Sequence, residues 1–144
     1  MRRALLSVAA LFVTPAWAAD GAALFQQHCA TCHQASAAGT VGLAPGLLGP
    51  HWQRLGADSS YLPTVLLKGL SGMIKVDGQA FVGSMPAMAP TLDDEALAAV
   101  ANHLRGLQGA TTDKAFTAAD FTALRGKPGN PNQTRALRRQ LLGE

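Results

Sequence analysis

Cys29-Ala30-Thr31-Cys32-His33 holds both cysteines of a 144-residue chain. Cys-x-x-Cys-His is the spacing used for covalent attachment of a c-type haem. The spacing has a physical reason. Two thiols one helical turn apart can form thioethers with the two vinyl groups on one side of a porphyrin. The next residue then lies beneath the iron, where its imidazole can coordinate. Competing uses of the pair fit less well. A redox-active dithiol calls for a βαβ setting, and no strand pattern precedes the motif; a structural zinc needs two more soft ligands, and no further cysteine exists. The motif therefore predicts one haem c, bound through Cys29 and Cys32, with His33 as proximal ligand.

Outward from the motif, Asp20 is placed to cap a helix running to Cys29, with Leu24, Phe25, His28, Cys29 and Cys32 on one face. Residues 34–58 contain Gly39, Gly42, Pro45, Gly46, Gly49, Pro50 and Gly56, too many breakers for regular structure, and read as a long ordered loop. Such loops in small domains are usually functional. A helix begins at Ser59 or Ser60, tolerates Pro63 in its first turn and stops between Gly69 and Gly72. Ile74–Gly78 reads as a short extended piece with a turn. Thr91 is expected to cap the strongest helix, on which Leu97, Val100, Ala101 and Leu104 share a face. Phe116 and Phe121 bracket Thr117 and Asp120 as a hydrophobic staple around a capping box, so a short helix to Arg125 follows. Asn130 to Glu144 reads as a marginal helix on a loose tail.

A haem held by one histidine leaves a sixth position to assign. A methionine there raises the potential and closes the iron, whereas an open position permits ligand or peroxide chemistry. The candidates are Met73, Met85 and Met88. Met85 is preferred because Pro86 forces it into an extended loop, about fifty residues after His33 and just before the capped helix. Met88 is the second choice, and Met73 suits a core gap-filler. Trp52 and Arg54 follow the glycine-rich loop, where an indole N–H or a guanidinium can reach the haem propionates; the alternative is an indole packed at the core edge and a solvated arginine. His28 and His51 read as surface histidines, and His103 as packing within a helix crossing.

Composition excludes several classes. Only 15% of residues are charged, 48% are hydrophobic, and two cysteines cannot staple a disulfide scaffold. A net charge of +3 is too small to argue for nucleic-acid binding. Arg2 and Arg3, the apolar run Ala4–Val13, Pro15 and Ala16-Trp17-Ala18 read as a secretory signal cut after Ala18. The run is half the length needed to span a bilayer, so a membrane anchor is the weaker reading and the mature protein is expected in a periplasm. The charge then divides: residues 19–109 carry four basic and six acidic groups, and residues 110–144 six basic and three acidic.

With Gly21, Phe25, the haem motif, Pro45-Gly46-Leu47, Gly69-Leu70-Ser71-Gly72, Gly83-Ser84-Met85-Pro86-Ala87 and Leu92-Asp93-Asp94-Glu95, the sequence resembles a class I monohaem c-type cytochrome from residue 20 to about 108. The bacterial periplasmic members serve dehydrogenases or terminal oxidases. The resemblance implies a small all-α fold in which the first and last core helices cross near Gly21 and Leu104 over the haem. It implies that the carbonyl of Pro45 holds the other ring nitrogen of His33, and it places His103 where an aromatic is common. The expected organisation is a signal peptide at 1–18, a haem domain at 19–109 and a basic, partly helical extension at 110–144. The implied activity is electron carriage between redox protein partners rather than catalysis. The alternatives are an electron-accepting subunit of a dehydrogenase complex, with the basic tail as docking arm, and a peroxidase or ligand-binding haem protein.

Overall fold

The computed structural model describes residues 19–110 and 114–144, so the signal expected at residues 1–18 lies outside the described residues. Helix α1 (Gly21–His28) begins where the Asp20 carboxylate accepts the N–H groups of Ala22 and Ala23, satisfying donors that a helix start leaves free. Helix α2 (Ala30–His33) follows directly after Cys29. Helix α5 (Asp94–Leu107) is capped by Asp93, which accepts from the Ala96 N–H at 2.8 Å, and not by Thr91, whose own N–H closes a turn on the Met88 carbonyl. The crossing of α1 and α5 depends on Gly21, because a Cβ there would collide with the carbonyl oxygen of Ala99. Around it Phe25, Leu97, Val100, Ala101 and Leu104 are buried together.

Two short helices line the other side of the core. Helix α3 (His51–Leu55) interrupts the loop expected to be irregular and buries Trp52 and Leu55. Helix α4 (Tyr61–Lys68) buries Tyr61, Leu62, Val65, Leu66 and Leu67.

The all-α expectation needs correction. Strands β1 (Leu70–Val76) and β2 (Gln79–Met85) form an antiparallel hairpin in unbroken register from Leu70↔Met85 to Val76↔Gln79. Asp77 and Gly78 both take positive φ, 50° and 80°, as a two-residue hairpin turn of matching twist requires. Side chains alternate across a strand, so Leu70, Gly72, Ile74 and Val76 share one face with Phe81, Gly83 and Met85. Met73 and Val82 form a pair on the opposite face and are 54% and 77% exposed. Met73 is therefore not a core gap-filler. Met85 ends a strand rather than sitting within an irregular loop.

The extension is not loose. Helix α6 (Ala118–Arg125) has the expected capping box between Thr117 and Asp120, with the Phe116 and Phe121 rings 6.2 Å apart. Helix α7 (Pro131–Leu142) starts at Asn130, which caps the Asn132 and Gln133 N–H groups, and ends at the left-handed Gly143. It packs on α3, α4 and β1 and buries Thr134 and Arg138.

Candidate cofactor site

One cavity of about 220 Å³ gathers the chemistry. Cys29, Cys32 and His33 enter it from the first two helices, Pro45 from the loop, Trp52 from α3, Met85 from the end of β2 and Met88 from the segment beyond. Its walls are largely apolar, with Phe25, Leu62, Leu66 and Leu104 from the helices. The inner face of the hairpin, Leu70 through Val76 and Phe81 through Met85, supplies a further wall. Arg54 is exposed and lies outside the lining.

His33 is 7% exposed and its Nδ1 donates to the Pro45 carbonyl at 2.9 Å. The loop is shaped for this contact. Thr40 and Ala44 bridge, the Thr40 hydroxyl donates to the Cys32 carbonyl, and the Leu47 N–H donates to Ala37. Committing the proton to Nδ1 leaves Nε2 with its lone pair. Burial lowers the His33 pKa against the opposing pull of the Pro45 bond, which keeps the ring neutral. Burial, with the neighbouring Cys32 charge second, pushes the Cys29 thiol up to about 11. Cys32 is exposed, so the cavity reaches solvent beside it.

Met85 is positioned by the hairpin register opposite Leu70. Gly69, at φ +74°, lets the Met85 carbonyl approach where a Cβ would stand. Met88 is half-buried, and its N–H donates to Leu66 at 2.8 Å. Arg125 of α6 braces the same segment, donating to the carbonyls of Ala89 and Leu92 at 2.9 and 3.1 Å.

Among the described residues, three buried nitrogen atoms on this cavity's lining, Trp52 Nε1, His51 Nδ1 and Arg138 Nε, have no hydrogen-bond partner. A buried donor left unpaired costs about 1–3 kcal/mol, more when charged, so the lining asks for acceptors. Two thiols one turn apart, a neutral histidine with a free nitrogen, apolar walls and a set of unpaired donors together fit haem c, an apolar macrocycle with two carboxylates. His51, which reads from the sequence as a surface histidine, is instead half-buried in the lining. His28 also reaches the cavity, whereas His103 packs on the Phe25 ring with centroids 5.5 Å apart. Arg138 and Tyr61 are lining residues that the sequence does not flag. No local signal marks Arg138, although Asn130-Pro131 and Gly143 do bracket its helix.

The profile of the family described as cytochrome c matches residues 18–108. The chain is 37% identical to a cytochrome c-552 of Thermus thermophilus, across 98% of both chains. It is 40% identical to a second Thermus thermophilus cytochrome c-552, covering 85% of this chain and 97% of that one. It is also 32% identical to the gluconate 2-dehydrogenase cytochrome c subunit of Pantoea cypripedii, across 73% of this chain but 24% of that larger protein.

Proposed function

Because the chain belongs to the cytochrome c family and so carries covalent haem c, we propose that it is an exported carrier of single electrons with His33 and Met85 as axial ligands. Haem c supplies reversible one-electron ferric–ferrous chemistry when bound. Every other contribution comes from the chain. Cys29 and Cys32 anchor the group. Pro45 fixes the tautomer of His33, and the hairpin holds Met85 to the cavity face. The apolar walls exclude water and other ligands from the iron. Exposed Leu43 and Cys32 mark the rim where electrons leave toward a docked redox protein. The observation that carries the reading is the convergence of His33, with Nδ1 already occupied by Pro45, and Met85 on one cavity.

The purified protein should titrate reversibly with one electron per haem, and in its resting states bind carbon monoxide and cyanide slowly. Fast binding of either would mark an open iron and replace the carrier with a ligand-binding or peroxidase-type haem. The likeness to a dehydrogenase cytochrome subunit supports a second reading, in which the donor is a dehydrogenase held in a stable complex. Co-purification of such an enzyme with the tagged protein would favour it.

A further inference from the structure

The hairpin has one covered edge and one bare edge. Along β1, α7 packs, Arg138 Nη2 donates to the Lys75 carbonyl at 3.1 Å, and the Arg135 guanidinium stands where a Cβ of Gly72 would be. Along β2 no second strand pairs, and among the described residues its backbone hydrogen bonds go to β1 alone. The ladder tells which groups are left over. The turn Asp77-Gly78 closes on Val76 and Gln79 as a hydrogen-bonded pair. Such pairs alternate with pairs whose N–H and C=O groups point away from the partner strand. Lys75↔Ala80 is therefore of the second kind, in agreement with the Lys75 carbonyl turned toward α7, and so are Met73↔Val82 and Ser71↔Ser84. Ala80, Val82 and Ser84 are all exposed and line the free edge with unpaired donors and acceptors. Edges of this kind are ordinarily blunted by lysine, proline or a bulge. Strand β2 contains no charged residue and no proline, and its register is unbroken.

We propose that the free edge of β2 binds the same edge of a second copy of this chain, antiparallel about a two-fold axis at Val82. The strand is self-complementary in that register. Val82 exchanges both backbone bonds with its symmetry mate, and Ala80 does so with Ser84 of the second copy, so each outward group finds a partner. Phe81 then falls opposite Gly83 of the second copy in a close pair without hydrogen bonds, large against small. Neighbouring registers are poorer. One centred on Gly83 sets Ala80 against Pro86, which has no N–H, and one centred on Phe81 sets two aromatic rings against each other and Gly78 of the turn against Ser84. On the outer face, the exposed Met73 and Val82 become half of one apolar strip that the second copy continues. A two-fold pairing of this kind keeps both inner faces on one side, so the two cavities lie beneath one continuous sheet. Ala80 and Val82 do not line the cavity, so the proposal stands apart from the electron-carrier reading and its failure leaves that reading intact.

The test uses the full-length holoprotein at rising concentration, followed by sedimentation equilibrium and backbone amide hydrogen exchange. Wild type should pass from monomer to dimer. Exchange at Ala80, Val82 and Ser84 should then slow by about tenfold, while Phe81 and Gly83, whose amides already bond β1, should not change. Val82→Lys places like charges together on the axis and should raise the dimer dissociation constant about tenfold. Val82→Glu should do the same, and an equimolar mixture of the two variants should restore the dimer. Both should keep the wild-type haem spectrum, and if either does not fold, the exchange pattern of the wild type decides alone. A wild type that stays monomeric, with exchange at Ala80, Val82 and Ser84 independent of concentration, overturns the proposal. So does a dimer that Val82→Lys leaves unchanged, and so does protection of these amides by a redox partner in place of a second copy.

Discussion

The chemistry of this chain is concentrated in a few residues whose neighbours remove their freedom. His33 has one nitrogen committed to Pro45, and the loop that presents Pro45 is tied back to α2 through Thr40 and Cys32. Gly69 does comparable work for Met85. It combines a left-handed backbone with an approach that leaves no room for a side chain. Gly69→Ala should destabilise the holoprotein by about 1–3 kcal/mol and weaken the far-red absorption of methionine-ligated ferric haem, both read in one thermal melt monitored by absorbance. The motif and the Met-Pro pair were legible because covalent attachment and proline restriction are local. The burial of Arg138 was not, because it depends on which distant side chains surround it.

At the level of elements, the hairpin corrects the sequence reading most. Its signal was present in Asp77-Gly78 between Ile74, Val76, Phe81 and Val82, but the alternation is diluted by Gly72, Gly83 and Ser84. A Cβ at Gly72 would collide with the Arg135 guanidinium, so that glycine makes room for α7, whereas Gly83 faces open space. The capping box of α6 was legible because its partners are three residues apart. What α6 does was not: Arg125 pairs with Asp94 of α5 at 2.7 Å and holds the segment after Met85. Arg125→Ala should cost about 1–3 kcal/mol and loosen that segment, measurable as faster hydrogen exchange at Met88 and Leu92. The Thr122 hydroxyl first, and Arg125 second, hold the Asp94 pKa below the ordinary carboxylate value. A depressed folded pKa gives stability that is present above the ordinary value and lost as pH falls through the lower one. The stability difference between wild type and Asp94→Asn should therefore be full at neutral pH and shrink in acid, as read by denaturant melts across that range.

The whole molecule is built around one largely apolar cavity closed from two directions. The first and last core helices cross at Gly21, and the C-terminal residues return to brace both sides, α6 behind Met85 and α7 against the hairpin and α3. The basic extension, legible as a run of charge, reads as a tail because its leucines are few. Burial of Thr134 and Arg138 shows that its contact with the core is made partly by polar groups, which hydrophobic patterning does not register. The central claim is that the cavity holds a haem with His33 and Met85 on its iron, and the far-red band of the oxidised protein tests it most directly. Wild type and Met88→Ala should show the band, and Met85→Ala should lose it and drop in potential. A band that survives Met85→Ala, or vanishes with Met88→Ala instead, would contradict the account.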